Sequence, residues 1–236
     1  MLKFATKFAP EPEAFETAQR AGFRDAELWL GVETLSRGRE VARLASNYAL
    51  GCNLHFPNRG ELDDDALRGA VRLYRDLQCT AMVIHRPMLR RYAERILAHD
   101  ASIRLGLENH RLDRDQFSRW AEESAWLTLD VEHLWKLTLR DSALGELLEQ
   151  LDGFLSRYGD KLVHVHLPGY MPGSPEHRPI HRAGDAALPI LSMLAAHRFE
   201  GMVVSEADPE YQNATDLAQD VLLFERWRES LQSRGI

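Results

Sequence analysis

Apolar positions along the chain follow two alternating spacings. Short runs of six to eight residues, rich in Val, Ile, Leu, Phe and Ala, are separated by longer stretches in which apolar residues recur at three- and four-residue steps. The first spacing predicts buried strands and the second amphipathic helices. The strand-like runs are 2–8, 25–30, 49–56, 80–85, 102–108, 125–130, 161–167 and 201–206, eight in all. The clearest helical stretch is 63–77, where Leu67, Ala70, Val71, Tyr74 and Leu77 share one face. Asp63, Asp64 and Asp65 crowd its start, where negative charge suits the positive end of the helix dipole, so this run reads as helix-start chemistry and not as a metal site. A first helix is predicted between Pro10 and Gly22 and a last one over 216–231.

Eight strand–helix units in an uninterrupted chain predict an α/β protein with a parallel sheet, and the count of eight favours a closed (β/α)8 TIM barrel forming one domain over residues 1–236. An open doubly wound sheet is the alternative. No GxGxxG or GxxxxGK[ST] follows a strand, which removes the usual nucleotide signatures of the open fold.

Composition narrows the function classes without naming one. With 44% apolar and 28% charged residues the chain reads as globular. A net charge of −7 argues against a surface built to neutralise a phosphate backbone, so nucleic acid is not the expected partner. Cys52 and Cys79 form no CxxC pair and are expected as small core residues. Lys3 and Lys7 interrupt the apolar residues of the N-terminus, leaving no signal-like stretch, and the expectation is a cytoplasmic protein without membrane partner. Self-association into a homo-oligomer is left open.

The chemistry lies at the strand ends. In a parallel barrel the active site forms where strands run into the βα loops. Glu27 lies in the second run, His55 ends the third, His85 the fourth, Glu108 the fifth, Asp130 the sixth, His166 the seventh and Glu206 the eighth. A single polar residue at a strand end is ordinary. Seven brought to one level around one axis would repel and pay heavily in desolvation without a cation, so at least four of them are expected to bind a divalent metal ion. His164, two residues before His166, shares its face one layer deeper and is expected to be supporting structure.

The surroundings of these residues carry a resemblance. The strings LGLENH, LTLDVEH, VHVHLPG and GMVVSEAD, with NLHFP and MVIHRP, resemble the xylose isomerase-like barrel superfamily of sugar isomerases, epimerases and endonuclease IV over almost the whole chain. The resemblance implies Glu108, Asp130, His166 and Glu206 as metal ligands, with His133 contacting substrate or a second ion. Three carboxylates and one imidazole suit Mn²⁺, Mg²⁺ or Co²⁺ and do not exclude Zn²⁺. In the long Pro- and Gly-rich stretch 167–185, His177 matches a catalytic or substrate-binding Arg or His of relatives. His181 stands where relatives carry glycine, so His177, Arg178 and His181 form a shared candidate set.

The reaction implied is isomerisation or epimerisation of a small sugar or hydroxy-keto compound through an enediolate, with Glu108 and Glu206 as acid/base groups. His55, His85, His133 and His177 would position hydroxyls or a phosphate, and Trp29 and Trp135 would either wall the pocket or pack in the core. A dehydratase or hydroxypyruvate-type isomerase fits nearly as well. The rival readings are an endonuclease IV-type zinc phosphodiesterase acting on abasic DNA, opposed by Pro175 where relatives carry an Asp, and a barrel that binds a metabolite without turning it over.

Overall fold

The structure is a computed structural model that describes residues 2–233. All eight predicted strands form, as β1 (Lys3–Phe8), β2 (Asp25–Trp29), β3 (Gly51–His55), β4 (Met82–Ile84), β5 (Leu105–Glu108), β6 (Trp126–Asp130), β7 (Leu162–His166) and β8 (Met202–Ser205). Every neighbouring pair is parallel, and β1 pairs with β8 through Thr6 and Ser205, closing the barrel. Among the described residues, no helix is long and apolar enough to cross a membrane.

The strands are shorter than the apolar runs, for local reasons. The run 80–85 loses its start because the Asn53 side chain accepts hydrogen bonds from the Thr80 and Ala81 backbone N–H groups. The run 102–108 loses its first residues to a turn in which Asp100 accepts from the Ser102 N–H and hydroxyl. The helix Asp64–Asp76 starts as predicted, with Asp63 accepting from the Ala66 N–H. The first helix, Pro12–Ala21, ends at Gly22 with φ 101°, a left-handed conformation that glycine adopts without steric cost. The last helix spans Ala214–Ser233.

Alternation along each strand divides the core. On β1, Phe4 and Phe8 point outward, Phe4 stacking on Phe224 at 4.6 Å and Phe8 meeting Phe15 edge-on. Ala5 faces inward with Met202 and Val204, a small apolar cluster below the polar end of the barrel. Cys52 and Cys79 are buried and free, as expected of core residues. Sequence alternation also places Lys7 inward, one step above Ala5 and directly in register with Glu27.

Candidate metal centre

The strand-end residues converge, but not at one level. Glu27 registers with Lys7 on one side and Asn53 on the other, whereas Trp29 registers with His55. Glu27 therefore lies one layer below the expected ring, because it comes two residues earlier in its strand than the position facing His55. There it accepts from His166 Nε2 at 2.9 Å and faces His164 Nε2 at 2.5 Å. His164 is fully buried, with its other nitrogen taking a hydrogen bond from Asn53 at 3.3 Å.

Glu108, Asp130 and His166 each offer a ligand atom within 4.8 Å of the others. Glu206 contacts His166, its Oε2 lying 2.8 Å from Nδ1, but belongs to no such triad of mutually close donors. Backbone clamps hold this set. Asn109 donates to the Asp130 carbonyl at 2.9 Å and accepts from the Asp130 N–H at 2.6 Å, locking the end of β6 to the residue after Glu108. Asp130 Oδ1 accepts from the His133 N–H at 2.7 Å, capping the short helix Val131–His133 and leaving Oδ2 without a partner.

Glu108 is shared more widely than the sequence implied. Its Oε2 accepts from His85 Nε2 at 3.1 Å and lies 3.5 Å from His55 Nε2, while Oε1 lies 3.4 Å from His133 Nδ1 and 3.8 Å from His110 Nδ1. His55, His85 and Glu108 form a second triad of close donors, and Glu108, His110 and His133 a third.

These residues fit a divalent cation on their own geometry. His55 Nδ1 donates to the Phe56 carbonyl, which leaves Nε2 as a bare lone pair facing the Glu108 carboxylate, with no hydrogen-bond partner. His166 Nε2 donates to Glu27, which in the neutral ring leaves Nδ1 as a lone pair facing Glu206, Glu108 and Asp130. Buried lone pairs directed at carboxylates are unfavourable unless a proton or a cation lies between them.

In the metal-free site, protons take that place. Burial opposes charge on His166, but Glu206 and Glu27 outweigh it and hold its pKa well above the usual imidazole range. Burial likewise opposes charge on His133, and Asp130 and Glu108 push it up to about 9. Burial alone would raise the Glu108 carboxyl, yet His85, His133 and His55 hold it well below the usual carboxylate range. Asp130 goes the other way, raised by burial beyond what His133 recovers. His55 is pushed down by burial and by Lys7, which favours its neutral form.

Lys7 is a residue of the candidate site that the sequence reading missed. Its ammonium lies 2.6 Å from Glu206 Oε1 and 3.2 Å from Glu27 Oε1, bridging the two layers. The signal was its inward parity at the end of the first strand, masked by its reading as an interruption of an apolar N-terminus. His110 was also missed, although it follows Glu108 by two residues in LENH.

The candidate loop resolves into separate roles. His177 reaches the pocket; its backbone N–H donates to Glu132 Oε2 at 3.0 Å and its carbonyl accepts from the Asp208 N–H. Arg178 Nε instead donates to the Gly169 carbonyl, across an approach so close that a Cβ on Gly169 would fall 1.9 Å from the Pro179 oxygen. His181 turns away to Asp220, at 2.7 Å from Nδ1. Trp135 is buried against Tyr170 and donates to the Ser142 carbonyl, so it packs in the core and does not line the pocket at the donors.

Above the donors opens a pocket of about 620 Å³ whose lining includes Glu108, Glu206, His55, His85, His133 and His177. Asp130 and His166 lie beneath it, fully buried. Two of the four expected ligands thus face the space a substrate would enter, and two do not.

No protein-family model and no curated protein matches the chain. Solved structures do. It is similar to a D-tagatose 3-epimerase-like protein at 16% identity and TM-score 0.63, covering 99% of this chain and 100% of that one. The D-allulose 3-epimerase of Methylomonas sp., in complex with D-allulose, gives 17% identity and TM-score 0.59 over 96% and 97%. Endonuclease IV from Thermus thermophilus gives 16% and 0.61 over 97% and 99%. At these identities the likeness establishes architecture: this chain has the closed (β/α)8 barrel fold that these epimerase and endonuclease IV structures share.

Proposed function

We propose that the protein is a metal-dependent isomerase or epimerase of a small sugar or hydroxy-keto compound, with Glu108, Asp130, His166 and Glu206 as ligands. The observation that carries the reading is the division of that set: Asp130 and His166 lie below the pocket, while Glu108 and Glu206 line it from strands three places apart in the ring. A divalent ion in this set supplies a Lewis acid for the adjacent carbonyl and hydroxyl oxygens of a substrate. The chain supplies the rest. Glu108 and Glu206 reach the substrate from different sides, one to take the carbon-bound proton and the other to return it. His85, His133 and His177 orient the oxygens, and the closed floor excludes water.

The test is solvent exchange. The Mn²⁺-loaded protein, incubated in deuterated water with a panel of ketoses and hydroxy-keto acids, is expected to place deuterium on the carbon next to the carbonyl of its substrate. Absence of exchange across the panel rejects the reading.

One observation favours a second reading, hydrolysis of a phosphoester by more than one ion. Glu108 belongs to three donor triads, and the bare Nε2 of His55 belongs to the triad with His85 and Glu108. A carboxylate shared in this way could help hold more than one ion, with His55, His85, His110 and His133 as its neighbours. Three ions per chain by elemental analysis, with nicking of abasic DNA, would support the endonuclease IV form of this reading. Two ions, with hydrolysis of a small phosphodiester, would support a form acting on metabolites, which suits the acidic chain better.

A further inference from the structure

Trp29 differs from the other four tryptophans. Trp120 stacks on Phe154 and donates to the Leu107 carbonyl; Trp227 meets Phe224 and donates to Ser192. Trp135 donates to Ser142, and Trp126 lies under the Arg104 guanidinium. Among the described residues Trp29 alone of the five has neither a ring contact nor a hydrogen bond, and it is 48% exposed. A large aromatic surface left in water is unfavourable by the same term that buries the others.

Its position is set by the barrel. Trp29 shares the inward parity of Glu27 one layer below it, registers with His55 and lines the pocket. Phe8, Ala9, Ala14 and Pro209 continue that wall, so the pocket is polar at its floor and apolar along one side. Its volume of about 620 Å³ falls in the range of ~300–1,000 Å³ typical of small-molecule sites, which leaves room for a group beyond an oxygen-rich head. Glu11 and Glu13 also line the pocket and lend it negative charge, with Glu11 4.0 Å from the Arg37 guanidinium.

We infer that Trp29 is a stacking platform, and that the substrate joins an oxygen-rich head, bound at the floor, to a flat ring that is neutral or positively charged. This rests on the reading of the pocket as the substrate site and extends it to substrate class. The ring lies face-on against the indole, and its head reaches Glu108 and Glu206. A carboxylated ring is disfavoured by Glu11 and Glu13.

Calorimetric binding to the Mn²⁺-loaded protein tests this, using methyl, phenyl and 4-carboxyphenyl β-glucosides as probes. The phenyl glucoside is expected to bind about tenfold tighter than the methyl glucoside, consistent with stacking on an aromatic side chain. That advantage is expected to persist in Trp29→Phe, to vanish in Trp29→Leu and to shrink for the carboxylated ring. Equal affinities, binding of neither glucoside, or an advantage that survives in Trp29→Leu overturns the inference. A Mn²⁺ titration of the same proteins keeps the two readings apart. Loss of metal binding with the phenyl advantage intact refutes the metal centre alone, and intact metal binding without the advantage refutes the platform alone.

Discussion

Lys7 Nζ sits 2.6 Å from Glu206 Oε1 while Glu206 Oε2 sits 2.8 Å from His166 Nδ1, so one carboxylate links the ammonium of β1 to the imidazole of β7. The ammonium serves as the resident cation of a site that concentrates negative charge. Burial opposes its charge, and Glu206, Glu27 and Glu108 more than restore it.

Replacing Lys7 by Met is expected to lower the stability of the metal-free protein by about 3–5 kcal/mol, because Glu27 and Glu206 lose their shared cation in a buried setting. The same change removes a positive charge from beside the metal site, so Mn²⁺ affinity is expected to rise. Denaturant unfolding and calorimetry on one preparation measure both. Unchanged stability of the metal-free protein would refute this role.

Conservative changes at the ligands separate holding from chemistry. Asp130→Asn and His166→Gln are expected to cost at least tenfold in Mn²⁺ affinity, since Asp130 Oδ2 and His166 Nδ1 lie buried under the pocket with no hydrogen-bond partner of their own. Glu206→Gln is expected to abolish turnover while largely sparing the fold. His181→Ala should leave metal affinity unchanged. Full Mn²⁺ binding by Asp130→Asn would sink the assignment.

The metal-free protein is expected to lose stability as pH rises from 6.5 to 9. The His133 pKa is raised from 6.5 to about 9, so the stability its charge contributes is fully present below 6.5 and is lost as pH climbs through 9. His166 is shifted in the same direction. Glu132, raised by burial and by Asp130 from 4.5 to about 7, loses the stability of its proton between those values, so it adds to the fall only at the lower edge of this window. The depressed carboxyls of Glu27, Glu108 and Glu206 stay ionised across this window and contribute no slope. A metal ion competes with those imidazole protons, so the gain in Tm from a fixed Mn²⁺ concentration should grow over the same interval. Calorimetric scans with and without Mn²⁺ decide it; a Tm gain that shrinks with pH contradicts the ligand set.

Asp220 holds the loop after β7 to the last helix. Fully buried, it accepts from the His181 N–H at 2.9 Å, from His181 Nδ1 at 2.7 Å and from the Ser205 hydroxyl at 2.5 Å. Asp220→Ala strands these donors and is expected to destabilise the protein by about 1–3 kcal/mol. Mn²⁺ affinity should stay unchanged, because His181 and Asp220 lie outside the ligand set. A large loss of affinity in a folded variant would draw them into the site.

The eight strands and the donors at their ends were legible along the chain, because burial on a strand needs only local alternation and a parallel barrel always turns its strand ends toward one face. The separate fates of His177 and His181 were not, since both are histidines in one polar loop and only the packing of Asp220 beneath that loop distinguishes them. The depth of Glu27 depended on the register between β2 and β3, and the pairing of Lys7 with Glu206 joined residues at opposite ends of the sequence. Distances of this kind are set when the ring closes and β1 meets β8. Local pattern therefore determined which chemistry is present, and tertiary closure decided which groups touch, because the electrostatic partners of a buried charge come from strands that share no sequence neighbourhood.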